Sequence, residues 1–147
     1  MAGIVCAIRG GPASQPTIFK AISLAKETGQ QLYFLYVVNL DFLERTASSR
    51  THTILAEMRQ MGEFILLTAQ TQAEAQNVVA KGIVRDGNVA QEIVRLCKEI
   101  NADYVVLGRP KHEGEDNVFT LEKLKSFGRM IEVESGAKAV FTNGEDL

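Results

Sequence analysis

A three-layer α/β fold built on a five-stranded parallel sheet follows from two observations on the 147-residue sequence. Short, unbroken apolar runs alternate with longer stretches of helical periodicity, the pattern of repeated strand–helix–strand units. The apolar runs also lack the polar alternation of a half-exposed strand, so they read as strands covered on both faces, as parallel sheets are. The length is that of one domain, 1–147, with enough chain to bury a core between a sheet and two helical layers. Hydrophobic residues at 46% and charged residues at 23% lie near globular averages, which excludes a disordered or fibrous chain.

Residues 3 to 9 form the first strand, ended by Gly10-Gly11-Pro12. A helix follows, with Ser14 as N-cap, Pro16 in its first turn, Ile18, Ile22 and Ala25 at helical spacing, and Gly29 as stop. Residues 32 to 38 are aromatic and β-branched without a polar break and make the second strand, closed by Asn39. The longest helix runs from about Ser48 to Gln76, its core stripe predicted as Ile54, Met58, Met61, Ile65 and Ala69. The third strand, 78 to 84, carries Lys81 and Gly82, which suits a sheet edge. Arg85-Asp86-Gly87-Asn88 reads as a turn, with Asn88 capping a helix whose stripe is Ile93, Leu96 or Cys97, and Ile100. Tyr104 to Gly108 is the fourth strand. A polar loop from Arg109 to Asn117 and a helix over about Thr120 to Glu134 lead through Gly136 to a last strand at Lys138 to Thr142.

Several function classes are disfavoured by composition. Net charge is −2 and no basic stripe is present, so nucleic acid is not an expected partner. No apolar run approaches the roughly 20 residues of a membrane span, and Gly3-Ile4-Val5-Cys6-Ala7-Ile8 begins without a charged leader. A cytoplasmic protein is expected, although a soluble regulatory domain of a membrane transporter would read the same way. Cys6 and Cys97 sit in apolar runs on different elements, so they are expected to be buried, inert thiols. His52 and His112 have no second ligand at metal spacing, and neither a nucleophilic triad nor a carboxylate pair assembles; no metal and no catalysis are expected.

In sheets of this kind ligands bind beyond the carboxyl ends of the strands, where the strand order reverses. The junctions are Arg9, Gly10 and Gly11; Asn39; Arg85 to Asn88; and Gly108 to Lys111. Read at these junctions, nearly the whole chain resembles the universal stress protein family. Ile4 to Ser14 is similar to the family's first strand and turn, Val84 to Ile93 to its strand, Gly-Asp-Pro and Glu-Glu-Ile helix, and Asn101-Ala102-Asp103-Tyr104-Val105-Val106-Leu107-Gly108 to its Ala-Asp-apolar-Met-Gly strand. The resemblance implies a Rossmann-like sheet of the adenine nucleotide alpha hydrolase type, in strand order 3-2-1-4-5.

Nucleotide-binding members of that family carry Gly, two residues, Gly, nine residues, then Gly-Ser or Gly-Thr after the fourth strand. Glycines there let backbone N–H groups approach phosphates, and a helix N-terminus adds its partial positive charge. Gly108 takes the first position, Lys111 stands at the second glycine, and Lys125-Ser126 stands at Gly-Ser after a spacer of thirteen residues. Arg9 replaces an acidic residue at the end of the first strand, while Ile8 and Val37 keep the apolar character of the adenine contacts. The resemblance thus implies a nucleotide or anion site, if retained, at Ile8, Arg9, Gly10, Val37, Gly108, Arg109, Lys111, Lys125, Ser126 and Phe127. Arg9, Arg109, Lys111 and Lys125 are either solvated surface charges balanced by Glu113, Glu115 and Asp116, or an anion site in which side-chain cations replace glycine N–H groups. Gly10-Gly11-Pro12 is a strand-to-helix turn, or a degraded pyrophosphatase loop in which Arg9 and Ala13 displace the usual Ser and Asp.

Two functions remain. One is a non-catalytic regulatory, stress-response module with weak or absent ATP binding; the other is an ATP- or AMP-binding switch with slow hydrolysis. The family resemblance further implies a homodimer through the last strand, whose edge is Ala137, Lys138, Ala139, Val140, Phe141 and Thr142, apolar and otherwise unprotected.

Overall fold

The computed structural model describes residues 3–9, 14–39, 51–108 and 121–142, with the side chains of 51–52 and 121–124 outside the description. Strands and helices alternate along it: β1 (Gly3–Ala7), α1 (Gln15–Thr28), β2 (Gln31–Asn39), α2 (Thr51–Ala75), β3 (Ala80–Gly87), α3 (Val89–Ile100), β4 (Tyr104–Gly108), α4 (Leu121–Ser135) and β5 (Lys138–Thr142). The sheet has the order β3-β2-β1-β4-β5 with every pair parallel, as expected.

The apolar runs become strands because both of their faces are covered. Ile4, Cys6, Phe34 and Val38 pack toward α1 and α2, together with Ile18, Ile22, Leu66 and Ala69. Val5, Leu35, Val105 and Leu107 pack the other way, against Ile93, Leu96 and Cys97 of α3 and Ile131 of α4. Both thiols are buried; desolvation pushes Cys97 up to about 11 and raises Cys6 further, which keeps them protonated and unreactive at neutral pH.

Helix ends follow the punctuation in the sequence. Ser14 occupies the N-cap position of α1 but makes no side-chain capping bond, and Gly29 closes the helix at φ 70°, its N–H donating to the Ala25 carbonyl at 2.8 Å. Asn88 caps α3 by accepting from the Gln91 N–H at 3.1 Å.

Two expectations need correction. The third strand runs to Gly87, and Arg85, Asp86 and Gly87 pair with Val37, Val38 and Asn39 rather than turning. In α2, Ile54, Met58, Ile65 and Ala69 face the core as expected, but Met61 is 58% exposed and Gly62 faces the sheet instead. An added Cβ at Gly62 would lie 2.5 Å from the Tyr36 ring, so this glycine lets α2 settle onto β2. The buried stripe of the helix then passes through Leu66, Ala69 and Ala73.

Gly62→Ala is expected to destabilise the fold by about 1–3 kcal/mol through overpacking against Tyr36. An ordinary helical glycine would gain about 1 kcal/mol from the same change. Urea denaturation reads the sign directly, and a stabilised variant would show that α2 does not approach β2 this closely.

Candidate functional site

The junction between β1 and β4 is where the strand order reverses. After β1 the chain adds β2 and β3 on one side, then returns to place β4 on the other. The register Ile4↔Tyr104, Val5↔Val105 and Cys6↔Val106 aligns the two strands so that both carboxyl ends open at the same sheet edge. Of the residues singled out in the sequence, Ile8, Arg9, Val37 and Gly108 are brought to this edge. The Ile8 N–H donates to the Leu35 carbonyl at 2.9 Å, extending the β1–β2 ladder one residue beyond the strand, and its side chain is buried. Arg9 is exposed. Val37 is half-buried, two residues beyond Leu35, in the core under α3 and α4.

Gly10, Arg109 and Lys111 lie outside the described residues, as do the acidic loop, His112 and the side chain of His52. Lys125 and Ser126 are exposed on α4, which already begins at Leu121. The Ser126 amide therefore sits in the second turn, where backbone N–H groups bond within the helix instead of pointing at a ligand. Phe127 is half-buried and packs into the core beneath α4.

Gly108 has a packing reason for lacking a side chain. A Cβ there would lie 2.5 Å from the Thr17 Oγ1. Thr17, in the first turn of α1 and 3% exposed, meets the Thr142 hydroxyl at 2.8 Å, and Thr142 Oγ1 reaches the Leu107 carbonyl at 3.5 Å. The two threonines thus join α1 and β5 across the end of β4.

Sequence reading missed the charged network on β3. Arg85 makes a fork to Glu99 at 2.7 and 2.8 Å and lies 3.8 Å from Glu92, which also holds Arg95 at 3.0 Å. The hydrogen bond from Arg85, more than any other cause, holds the exposed Glu99 carboxyl below its ordinary value. Glu92 is 5% exposed and packs beside Gly87, whose added Cβ would lie 3.1 Å from its Oε2. On the opposite face of β3, Asp86 pairs with Arg59 of α2 through both guanidinium Nε and Nη2. Arg59, Arg85 and Arg95 are thus committed to protein carboxylates. The sequence signals for the network were the i, i+3 spacing of Glu92 and Arg95 and the i, i+7 placement of Glu92 and Glu99 on α3.

A shallow groove of about 530 Å³ runs between α3 and α4, past Asn88, Gln91, Val94, Arg95, Met130 and Glu134. None of the nucleotide-site candidates among the described residues lines it. Among the described residues no cluster of His, Cys, Asp or Glu is arranged to hold a metal ion.

If the Thr17 hydroxyl is what forbids a side chain at position 108, then Gly108→Ala alone should lose about 1–3 kcal/mol. Gly108→Ala combined with Thr17→Ala should recover most of the steric part of that loss, a coupling of about 0.5–3 kcal/mol in a double-mutant cycle. Strict additivity in urea denaturation would remove this explanation of Gly108.

The fold has counterparts among known proteins. The universal stress protein family model matches residues 2–121. A comparison with curated proteins finds no significant sequence match. A structure of a universal stress protein family member from Burkholderia pseudomallei superposes with a TM-score of 0.73 at 18% identity, covering 97% of this chain and 96% of that one. Universal stress protein UspA from Lactobacillus plantarum gives 0.75 at 16% identity, with 97% of each chain covered. The universal stress protein from Archaeoglobus fulgidus, in complex with dAMP, gives 0.63 at 12% identity, covering 96% of this chain and 97% of that one. At such identities the superpositions establish a common fold, and the family model, spanning most of the sequence, supplies the assignment. The chain belongs to the universal stress protein family.

Proposed function

We propose that this protein is a non-catalytic regulatory module of the stress response that has lost most of its affinity for ATP and works as a homodimer. The observation that carries the reading is the Thr17–Thr142 pair over Gly108, because packing alone is then reason enough for the one retained glycine of the phosphate motif. Exposed Arg9 at the end of β1 adds support, since it reverses the sign of the residue that nucleotide-binding relatives carry there. Ser126, exposed in the second turn of α4, is equally ill suited to receive a phosphate at a helix start.

A second reading, an ATP- or AMP-binding switch, is favoured by the relative from A. fulgidus in complex with dAMP. In that reading Ile8 and Val37 hold the base and the cations Arg9, Arg109, Lys111 and Lys125 hold phosphates in a changed pose. Calorimetric titration separates the two. The favoured reading expects ATP and AMP to bind more weakly than about 100 μM, equivalent to about −5.5 kcal/mol, with no phosphate release above background. Arg9→Asp together with Lys111→Gly restores the family's residue types and is expected to strengthen ATP binding. Saturable binding of either nucleotide tighter than that threshold by the unaltered chain would transfer the assignment to the switch.

The dimer reading is supported by the position of β5 at the sheet edge. The Lys138 N–H donates inward to the Asp103 carbonyl, so in a parallel pair the N–H groups of Ala139 and Phe141 point outward. That edge is less bare than its sequence suggests, because the Ala139 N–H already donates to the Glu132 Oε2 at 2.8 Å. Pairing with a second β5 requires this carboxylate to swing aside. Glu132→Ala is therefore expected to tighten dimerisation by about tenfold, the worth of one charge-assisted hydrogen bond. Sedimentation velocity measures it, and an unchanged or weakened dimer would point to a different interface.

A further inference from the structure

The outer face of α2 carries an exposed apolar ridge that the fold does not use. Met61, Phe64 and Leu67, spaced i, i+3 and i+6, are 58, 70 and 60% exposed. Other large exposed hydrophobics among the described residues, Phe19 on α1, Val79 just before β3 and Val133 on α4, are ordinary single exposures. Three adjacent ones on a single helix form a packing ridge of the kind that a second helix fits against. The ridge is also rigidly presented, since the opposite side of α2 is fixed by Gly62 against Tyr36 and by buried Leu66, Ala69 and Ala73.

Among the described residues of α2, the charge on this face has one sign. Glu57, Glu63 and Glu74 are exposed beside or in line with the ridge. The only Lys or Arg in α2 is Arg59, and Asp86 holds it. An acidic border of this kind repels nucleic acid, anionic lipid and a second copy of itself, and it attracts a cationic partner.

We infer that the Met61–Phe64–Leu67 face of α2 is a docking surface for a basic amphipathic helix of a partner protein, with apolar residues laid across the ridge and Lys or Arg reaching Glu57, Glu63 and Glu74. The inference is independent of the nucleotide and dimer readings, because none of these residues lies at the β1–β4 junction or on β5.

A labelled synthetic helix of about 18 residues, with Leu and Lys at amphipathic spacing, tests it by fluorescence anisotropy against the full chain. The control peptide has Glu in place of every Lys. The Leu/Lys peptide is expected to bind with a dissociation constant below about 100 μM, and the control not at all. Phe64→Ser with Leu67→Ser should weaken binding by at least about tenfold. Glu63→Gln with Glu74→Gln should flatten the salt dependence between about 0.05 and 0.5 M. All four positions are exposed, so both variants should keep the urea midpoint of the parent chain. Failure of the Leu/Lys peptide to bind, equal binding of both peptides, or binding unaltered by either double variant would overturn the inference. So would self-association lost in the Phe64→Ser variant, which would make the face a contact between copies, or association of the chain with vesicles of anionic lipid.

Discussion

The structure depends on the double burial of β1. Ile4, Val5 and Cys6 are wholly excluded from solvent, with α1 and α2 above them and α3 and α4 below, and the strand is hydrogen-bonded on one side to β2 and on the other to β4. A segment buried on both faces and paired on both edges has no unsatisfied backbone and no choice of register. Every other element takes its place relative to it. The reversal of strand order falls at its β4 side, which is why Ile8 and Arg9 open beside Gly108.

Most of this order was legible in the residues. Unbroken apolar runs located the strands, and Gly29, Asn88 and Gly136 marked the ends and starts of helices because their φ angles or side-chain oxygens suit those positions. Two errors share a cause. Asp86-Gly87 carries the local signature of a turn, yet its neighbours Val38 and Asn39 on β2 continue the ladder through it. Met61 looks like a core residue by its hydrophobicity, but the surface of β2 presents the Tyr36 ring, and only glycine at position 62 lets the helix approach it. In each case a partner distant in sequence overrode a correct local preference.

At the candidate site the same distinction applies. The rule that ligands sit after the strands picked out Ile8, Arg9, Val37 and Gly108, all of which reach one edge. It carried no information on why Gly108 is a glycine, because Thr17 and Thr142 are 125 residues apart and meet only in the folded chain. Likewise, the family motif puts Lys125-Ser126 at its Gly-Ser, a position that needs a helix start, whereas the helix begins at Leu121, close to the Thr120 that periodicity expects. Within the family fold, then, this member keeps the scaffold, with Ile8 buried beside one helical layer and Val37 packed toward the other. At Gly108 the space beside that edge is taken by a contact between the protein's own elements, Thr17 of α1 against Thr142 of β5.

The two arginine clamps on β3 give the sheet unequal ends. Consecutive residues Arg85 and Asp86 are tied to opposite helical layers, one to α3 and the other to α2, so the strand cannot peel away toward either side without parting an ion pair. At the other margin β5 holds on through its ladder to β4, a threonine contact and one glutamate. Fraying of the sheet should begin there, and the margin first to loosen is the same one through which two subunits would join.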